Sequence, residues 1–209
     1  MLTLMLTLIF YSIESSLSQE VILNVFQLEI WVPEYQTAAS LDLSSRSIFY
    51  IDRNTFAGLT RLVTLRLDNN KIRNLDSATF SGLLNLKELY LHSNELSFID
   101  TLAFVNLPGL TLLNLHSNQL TNLDSSVLKP LTNLVVLYLN NNKLISIDRQ
   151  SLVGLVNLQM VYLGNNPINS VLTSYVKGLC STNPKCTISL DDVLGKKLNF
   201  LLNFCFRKR

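Results

Sequence analysis

One motif dominates the sequence, and its clearest copy reads Leu62-Val63-Thr64-Leu65-Arg66-Leu67-Asp68-Asn69-Asn70-Lys71-Ile72. The same frame recurs every 24 residues without an insertion. Later copies begin at Leu86, Leu110, Leu134 and Leu158, and a weaker first copy begins at Ala38. Repetition at such a period is typical of a solenoid, in which each unit buries its apolar side chains only against its neighbours. We therefore assign six repeats to residues 38–171.

Alternation within the motif predicts one short strand in every repeat. Leu65 and Leu67 should point into the core, and Arg66 between them should point outward, because successive side chains of a strand face opposite sides. Strands of successive repeats are expected to stack in parallel, about 4.8 Å apart.

Two further columns of residues recur in register with this motif. An asparagine after the strand can donate and accept hydrogen bonds, so it can satisfy buried backbone groups of neighbouring repeats. A phenylalanine on the opposite side is expected to stack through the core until leucine replaces it at Leu128 and Leu152. The asparagine column is Asn70, Asn94, Asn118, Asn142 and Asn166, and the aromatic column is Phe56, Phe80 and Phe104.

The full pattern, L-x-x-L-x-L-x-x-N-x-L-x-x-L-x-x-x-x-F-x-x-L, resembles the leucine-rich repeats of extracellular proteins. Toll-like receptors, small leucine-rich proteoglycans and variable lymphocyte receptors carry similar repeats. The resemblance implies a leucine-rich-repeat horseshoe, an α/β-type solenoid with a parallel concave β-sheet and an irregular or short-helical convex side. It also implies a module that binds another macromolecule outside the cell.

The beginning of the chain is apolar and predicts a signal peptide over residues 1–18, and hence a secreted protein. The segment Met1–Ile13 has the length of a signal-peptide core, and small residues follow at Ser16 and Ser18. The alternative is an uncleaved N-terminal cap. Residues 19–37 are expected to cap the first repeat, and they lack the cysteines that extracellular relatives usually carry there.

The region 172–209 is expected to form a C-terminal cap, and it contains all three cysteines: Cys180, Cys186 and Cys205. We expect two of them to form a disulfide in a secreted chain, with the pairing left open by the sequence. The apolar tail is too short to span a bilayer. A receptor ectodomain whose anchor is missing from this chain is therefore an alternative.

Charge and motif content argue against several functional classes. The formal net charge of +2 gives no footprint for nucleic acid. Nucleophile elbows, phosphate loops and suitably framed cysteine–histidine pairs do not occur, so we expect no enzyme and no cofactor.

Two arrangements resemble metal sites, and each has a simpler interpretation. His92 and His116 fall in adjacent strands beside Asp68, where we expect solvated histidines rather than a zinc site or a pH switch. A column of aspartates is more simply explained as caps of convex turns than as a calcium site, so we expect no metal. Its members are Asp52, Asp76, Asp100, Asp124 and Asp148.

The outward strand residues vary, and packing does not explain the exposed aromatic and apolar side chains among them. Tyrosine, arginine and methionine are favoured in interfaces, so we predict a protein partner on the concave sheet, centred on the tyrosines. The candidate residues are Arg66, Glu88, Tyr90, Leu112, Asn114, His116, Tyr138 and Tyr162. The alternative is a self-associating structural or matrix protein, which would form homo-oligomers.

Overall fold

The computed structural model describes residues 20–147, 149–152, 154–168 and 187–189. The predicted signal peptide, Asp148 and the three cysteines lie outside these ranges. In chain order the strands are β1 (Val21–Leu23), β2 (Ser40–Asp42), β3 (Ile48–Ile51), β4 (Thr64–Arg66), β5 (Asn74–Leu75), β6 (Glu88–Tyr90), β7 (Phe98–Ile99), β8 (Leu112–Asn114), β9 (Val136–Tyr138), β10 (Met160–Tyr162) and β11 (Thr187–Ser189). The helices are α1 (Val25–Trp31) and α2 (Ser125–Leu128), with 3-10 turns at Tyr35–Thr37 and Arg149–Ser151.

Seven of these strands form one parallel sheet, the concave sheet, in the order β11-β10-β9-β8-β6-β4-β2. Equivalent residues of successive repeats are paired, so that Leu65 lies opposite Leu89, and Leu89 opposite Leu113. All three leucines are fully buried. The parallel solenoid expected from the repeat is confirmed, and β11 extends its sheet by one strand beyond the last motif.

The asparagine column forms a hydrogen-bonded ladder at the end of the strands. The side-chain amide of Asn70 donates to the carbonyl oxygens of Leu43 and Leu67, both at 2.9 Å. Its Oδ1 accepts from the backbone N–H groups of Arg46 and Ile48. The same pattern recurs at the four later asparagines, which are all buried. Each asparagine thus satisfies backbone groups in its own repeat and in the preceding one.

The aromatic column lies on the convex side of the core. Phe80 stacks between Phe56 and Phe104, with ring centroids 6.3 Å and 6.0 Å apart, and none of the three rings is exposed. Leu128 continues the column as a buried residue in helix α2. The convex side otherwise consists of turns and the short two-stranded sheet β5-β7.

Three aspartates of the convex column engage hydrogen-bond donors. Asp100 and Asp124 accept from backbone N–H groups two residues later, at 2.8 Å and 2.7 Å, as turn and helix caps do. Asp76 instead accepts from the hydroxyl of Tyr50 at 3.0 Å. The capping interpretation therefore accounts for two of the carboxylates directly.

The N-terminal region covers the first repeat with one strand and one helix. Strand β1 pairs with β3, and helix α1 begins at Asn24, whose side chain accepts from the N–H of Gln27. Leu23 and Leu28 are fully buried beneath it, and Trp31 lies under the guanidinium of Arg46 at 4.6 Å. The apolar residues 19–37 thus include a folded cap that needs no cysteine.

Gly82 allows two successive convex turns to approach closely, and we expect Gly82→Ala to destabilise the fold. Its φ is +95°, and an added Cβ would lie 3.0 Å from the backbone nitrogen of Gly58. Gly58→Ala is the matched control, because its φ is +82° but its Cβ would meet nothing within 4 Å. Denaturant titration should show Gly82→Ala less stable than Gly58→Ala by about 2 kcal/mol. Equal losses would mean that the two turns separate at no cost.

Candidate functional site

The outward side chains of the concave sheet form three parallel columns, which together we call the concave face. They come from the first and third residues of each strand and from the position two residues after it. Buried leucines alternate with these positions, so all three columns point to the same side. The columns are Ser40, Thr64, Glu88, Leu112, Val136 and Met160; Asp42, Arg66, Tyr90, Asn114, Tyr138 and Tyr162; and Ser44, Asp68, His92, His116, Asn140 and Gly164.

Tyr138 and Tyr162 form a stacked pair on adjacent strands. Their ring centroids are 4.6 Å apart and the ring planes differ by 5°. The hydroxyl of Tyr162 lies 3.3 Å from the sulfur of Met160, which is 43% exposed. The sequence predicts exposed tyrosines, but each ring is only partly exposed because it is covered by its neighbour. The pair is therefore held in one arrangement before any partner arrives.

Tyr90 is separated from this pair by the Asn114 strand and belongs to a polar cluster instead. Its hydroxyl donates to Oε2 of Glu88 at 3.0 Å, and the Arg66 guanidinium lies 5.6 Å from its ring centroid. Burial of the ring, together with the bond to Glu88, raises the pKa of Tyr90 above its ordinary value. The three tyrosines expected at the centre of one patch thus divide into two groups.

Asp68 anchors the polar cluster, and the sequence prediction did not include it as a functional residue. Its carboxylate accepts from Nε and Nη2 of Arg66 at 3.0 Å and 3.1 Å, and from the amide of Asn69 at 2.9 Å. These bonds raise the pKa of Arg66. Asp68 is only 1% exposed, so its charge is neutralised within the face. The i, i+2 spacing of Arg66 and Asp68 on one face of a strand was the available signal.

The two histidines lie in a row across the sheet, and neither is fully solvated. His92 Nε2 is 3.6 Å from Asp68, and its ring centroid is 6.4 Å from that of His116. His116 Nδ1 lies 2.8 Å from the side-chain nitrogen of Asn140. Among the described residues, no group of three His, Cys, Asp or Glu side chains is arranged to hold a metal ion.

Acid should destabilise the fold through His92. Burial lowers the pKa of His92 below its ordinary value of 6.5, outweighing the attraction of Asp68, while His116 and Arg66 lower it further. The unfolded chain therefore binds the proton more tightly, and the free energy of unfolding should fall as the pH drops through 6.5. Denaturant titrations at about pH 7.5 and about pH 5 should show a smaller acid loss in His92→Gln.

His116→Gln is the matched control for this experiment, since it removes a histidine from the same column without removing the more buried ring. An acid loss that is the same in His92→Gln and in the unchanged chain would show that His92 is already protonated in the folded state.

Sequence and structure comparisons identify the repeats. The leucine rich repeat family profile matches residues 60–120 and 108–168. The chain is similar to TLR13 in a TLR13–ssRNA13 complex, with a TM-score of 0.71 and 30% identity over 81% of this chain and 23% of TLR13. It is also similar to the Leptospira interrogans LRR protein LIC12759, with a TM-score of 0.64 and 27% identity over 78% of this chain and 39% of that protein.

A third similar structure is the APL1 leucine-rich repeat domain, with a TM-score of 0.62 and 27% identity over 69% of this chain and 36% of that one. The chain thus spans well under half of each of these proteins. No curated protein sequence matches it. None of the helices in the described ranges has the length and apolar character needed to cross a membrane. The paired register, the asparagine ladder and the profile match agree, and the chain belongs to the leucine-rich-repeat family.

Proposed function

We propose that this chain is an extracellular, non-enzymatic recognition module that binds a protein partner through its concave face. Membership of the family supports a role in molecular interaction in general. The observation that carries the more specific proposal is the patch formed by Tyr138, Tyr162 and Met160 with Leu112 and Val136. These side chains are partly or fully open to solvent on adjacent strands, although the buried leucines beneath them already form the core.

The geometry of this patch suits a binding surface. Stacked tyrosines on a hydrogen-bonded sheet lose little conformational freedom on binding, so less of the interaction energy is spent on ordering them. Tyrosine also combines a large apolar area with a hydroxyl that can bond to a partner. Such rigid aromatic side chains near the centre of an interface commonly contribute most of its binding energy.

Nucleic acid and catalysis are less well supported for this chain. TLR13 is seen with single-stranded RNA, but the concave face here carries Asp42, Asp68 and Glu88 against the single cation of Arg66. Phosphate recognition requires an excess of cations. An open sheet excludes water poorly, which works against acid–base chemistry. A protein partner fits the face better than either alternative.

Site-specific photo-crosslinking tests the location of the partner. A photo-reactive amino acid at Met160, on the concave face, should capture a protein from the extracellular fluid in which the chain occurs. The same amino acid at Leu102 is the matched control, because Leu102 is 55% exposed but lies on the convex side. Capture from Leu102 and not from Met160 would contradict the proposal.

Tyr162→Ala should weaken binding of the captured protein by about 2 kcal/mol, as truncation of a central aromatic does. Its stability should fall by less, about 1 kcal/mol, because only the stacking contact with Tyr138 is lost. Calorimetric titration gives the binding change, and thermal unfolding gives the stability change. Leu102→Ala should alter neither quantity. Unchanged binding by Tyr162→Ala would exclude the stacked pair from the interface.

A further inference from the structure

Charge and apolar character are segregated along the concave face. All of its charged residues come from strands β2, β4 and β6 or the turns after them: Asp42, Arg66, Asp68 and Glu88. The outward residues of β8, β9 and β10 carry no charge. The face therefore has a charged half at the N-terminal end of the sheet and an uncharged aromatic half at the other end.

The charged half has a surplus of negative charge. The bidentate contact between Arg66 and Asp68 neutralises both groups and leaves Asp42 and Glu88. Only Arg66 Nε approaches Asp42, at 3.9 Å, and within the described ranges no Lys or Arg nitrogen lies within 4 Å of Glu88. Lys87 lies on the flank of the sheet, with its ammonium beside Gly109.

Both carboxylates are held in place by neighbouring hydroxyl groups. Asp42 accepts from the backbone N–H and the hydroxyl of Ser44 at 3.0 Å and 2.6 Å, and these bonds lower its pKa. Glu88 accepts from Tyr90. The two acids lie two strands apart, about 10 Å by the usual spacing, and on either side of Arg66. This arrangement offers two fixed negative charges to a partner.

We propose that the concave face recognises a basic polypeptide segment, with Lys or Arg side chains over Asp42 and Glu88 and apolar side chains over Tyr138, Tyr162 and Met160. This inference rests on the proposed function and adds the chemistry and the direction of the partner. The apolar half supplies contact area, and the two acids select a cation and fix the orientation.

Other occupants fit the face less well. An acidic peptide or a nucleic acid would place its negative charges against Asp42 and Glu88. A second copy related by a two-fold axis would present the same acidic face, so neither copy would supply a cation for the other. Charge complementarity therefore favours a basic polypeptide over self-association through this face.

A random peptide library displayed on phage provides the probe, selected against the immobilised full chain. The enriched peptides should combine Lys or Arg with aromatic or aliphatic residues. A synthetic peptide of the enriched sequence should lose about tenfold in affinity on Asp42→Asn with Glu88→Gln, and its binding should become less sensitive to salt. Glu29→Gln, an exposed acid of the cap, is the matched control and should change neither property.

The outcomes separate this inference from the proposed function. If the peptides need Tyr162 but are acidic, or are unaffected by the double substitution, the basic partner is wrong and the binding face stands. If binding survives Tyr162→Ala and the double substitution but is lost on Phe26→Ala in the cap, both proposals fail. Tighter binding of single-stranded poly(U) RNA than of the peptide, lost on Arg66→Gln, would overturn the choice of a polypeptide. Far-UV circular dichroism of each variant shows that it is folded.

Discussion

Replacement of Phe80 by alanine is expected to lower the free energy of unfolding by about 3–5 kcal/mol. The ring is completely buried between Phe56 and Phe104. Its removal forfeits the transfer energy of a large apolar side chain and both stacking contacts. It also leaves a cavity that the flanking repeats can fill only by moving together, which the paired register of the sheet resists. Urea or guanidinium titration of the purified chain measures this loss.

Phe98→Ala is the matched control for this prediction. Phe98 carries the same side chain on the convex side, but it is 56% exposed, so its truncation should cost well under about 1.5 kcal/mol. Similar losses in the two variants would show that the aromatic column is not the packed core that the structure describes.

The second large effect is expected at Asn118, in the middle of the ladder. Its amide nitrogen donates to the carbonyl oxygens of Leu91 and Leu115, both at 3.0 Å, and its Oδ1 accepts from the N–H of Leu96. Alanine would leave these buried backbone groups without partners, at about 1–3 kcal/mol for each group that water cannot reach. We therefore expect Asn118→Ala to lose about 3 kcal/mol of stability in a denaturant titration.

Two further variants show which half of the amide matters. Asn118→Asp keeps the acceptor for Leu96 but points a carboxylate at carbonyl oxygens, so it should be less stable than Asn118→Ala near neutral pH. It should regain stability as the pH falls, because a protonated carboxyl group can donate again. Asn122→Ala, at an exposed position of the same repeat, should change stability by less than about 0.5 kcal/mol. A ladder that is open to water would make all three variants alike.

The sequence determines the backbone of this protein in unusual detail, for a physical reason. A strand residue such as Leu89 has its equivalents 24 residues away on both sides, so one correct register at Leu65 fixes all the others. The asparagine and phenylalanine columns follow from the same register. Strand β11 could not be found in this way, because Thr187–Ser189 lacks the leucine frame of the repeats.

Side-chain couplings on the concave face were less accessible from the sequence. The register places Tyr90 and Tyr138 in one column, but it does not show that Tyr90 turns toward Glu88 and Arg66 while Tyr138 stacks on Tyr162. These choices depend on rotamers and on which neighbours compete for each ring. Asp68 was missed for the same reason, since its burial comes from the guanidinium that covers it.

The ladder also bears on how such a chain changes length during evolution. Each asparagine contacts the repeat before it and no other, and Glu95, Gln119 and Lys143 donate to that neighbour in the same way. Loss of residues 86–109 by recombination would join two ends that already fit, with Asn118 bonding to Leu67 in place of Leu91. A gene encoding this fold can therefore gain or lose one strand of binding surface in a single event, while the stacked tyrosines farther along remain as they are.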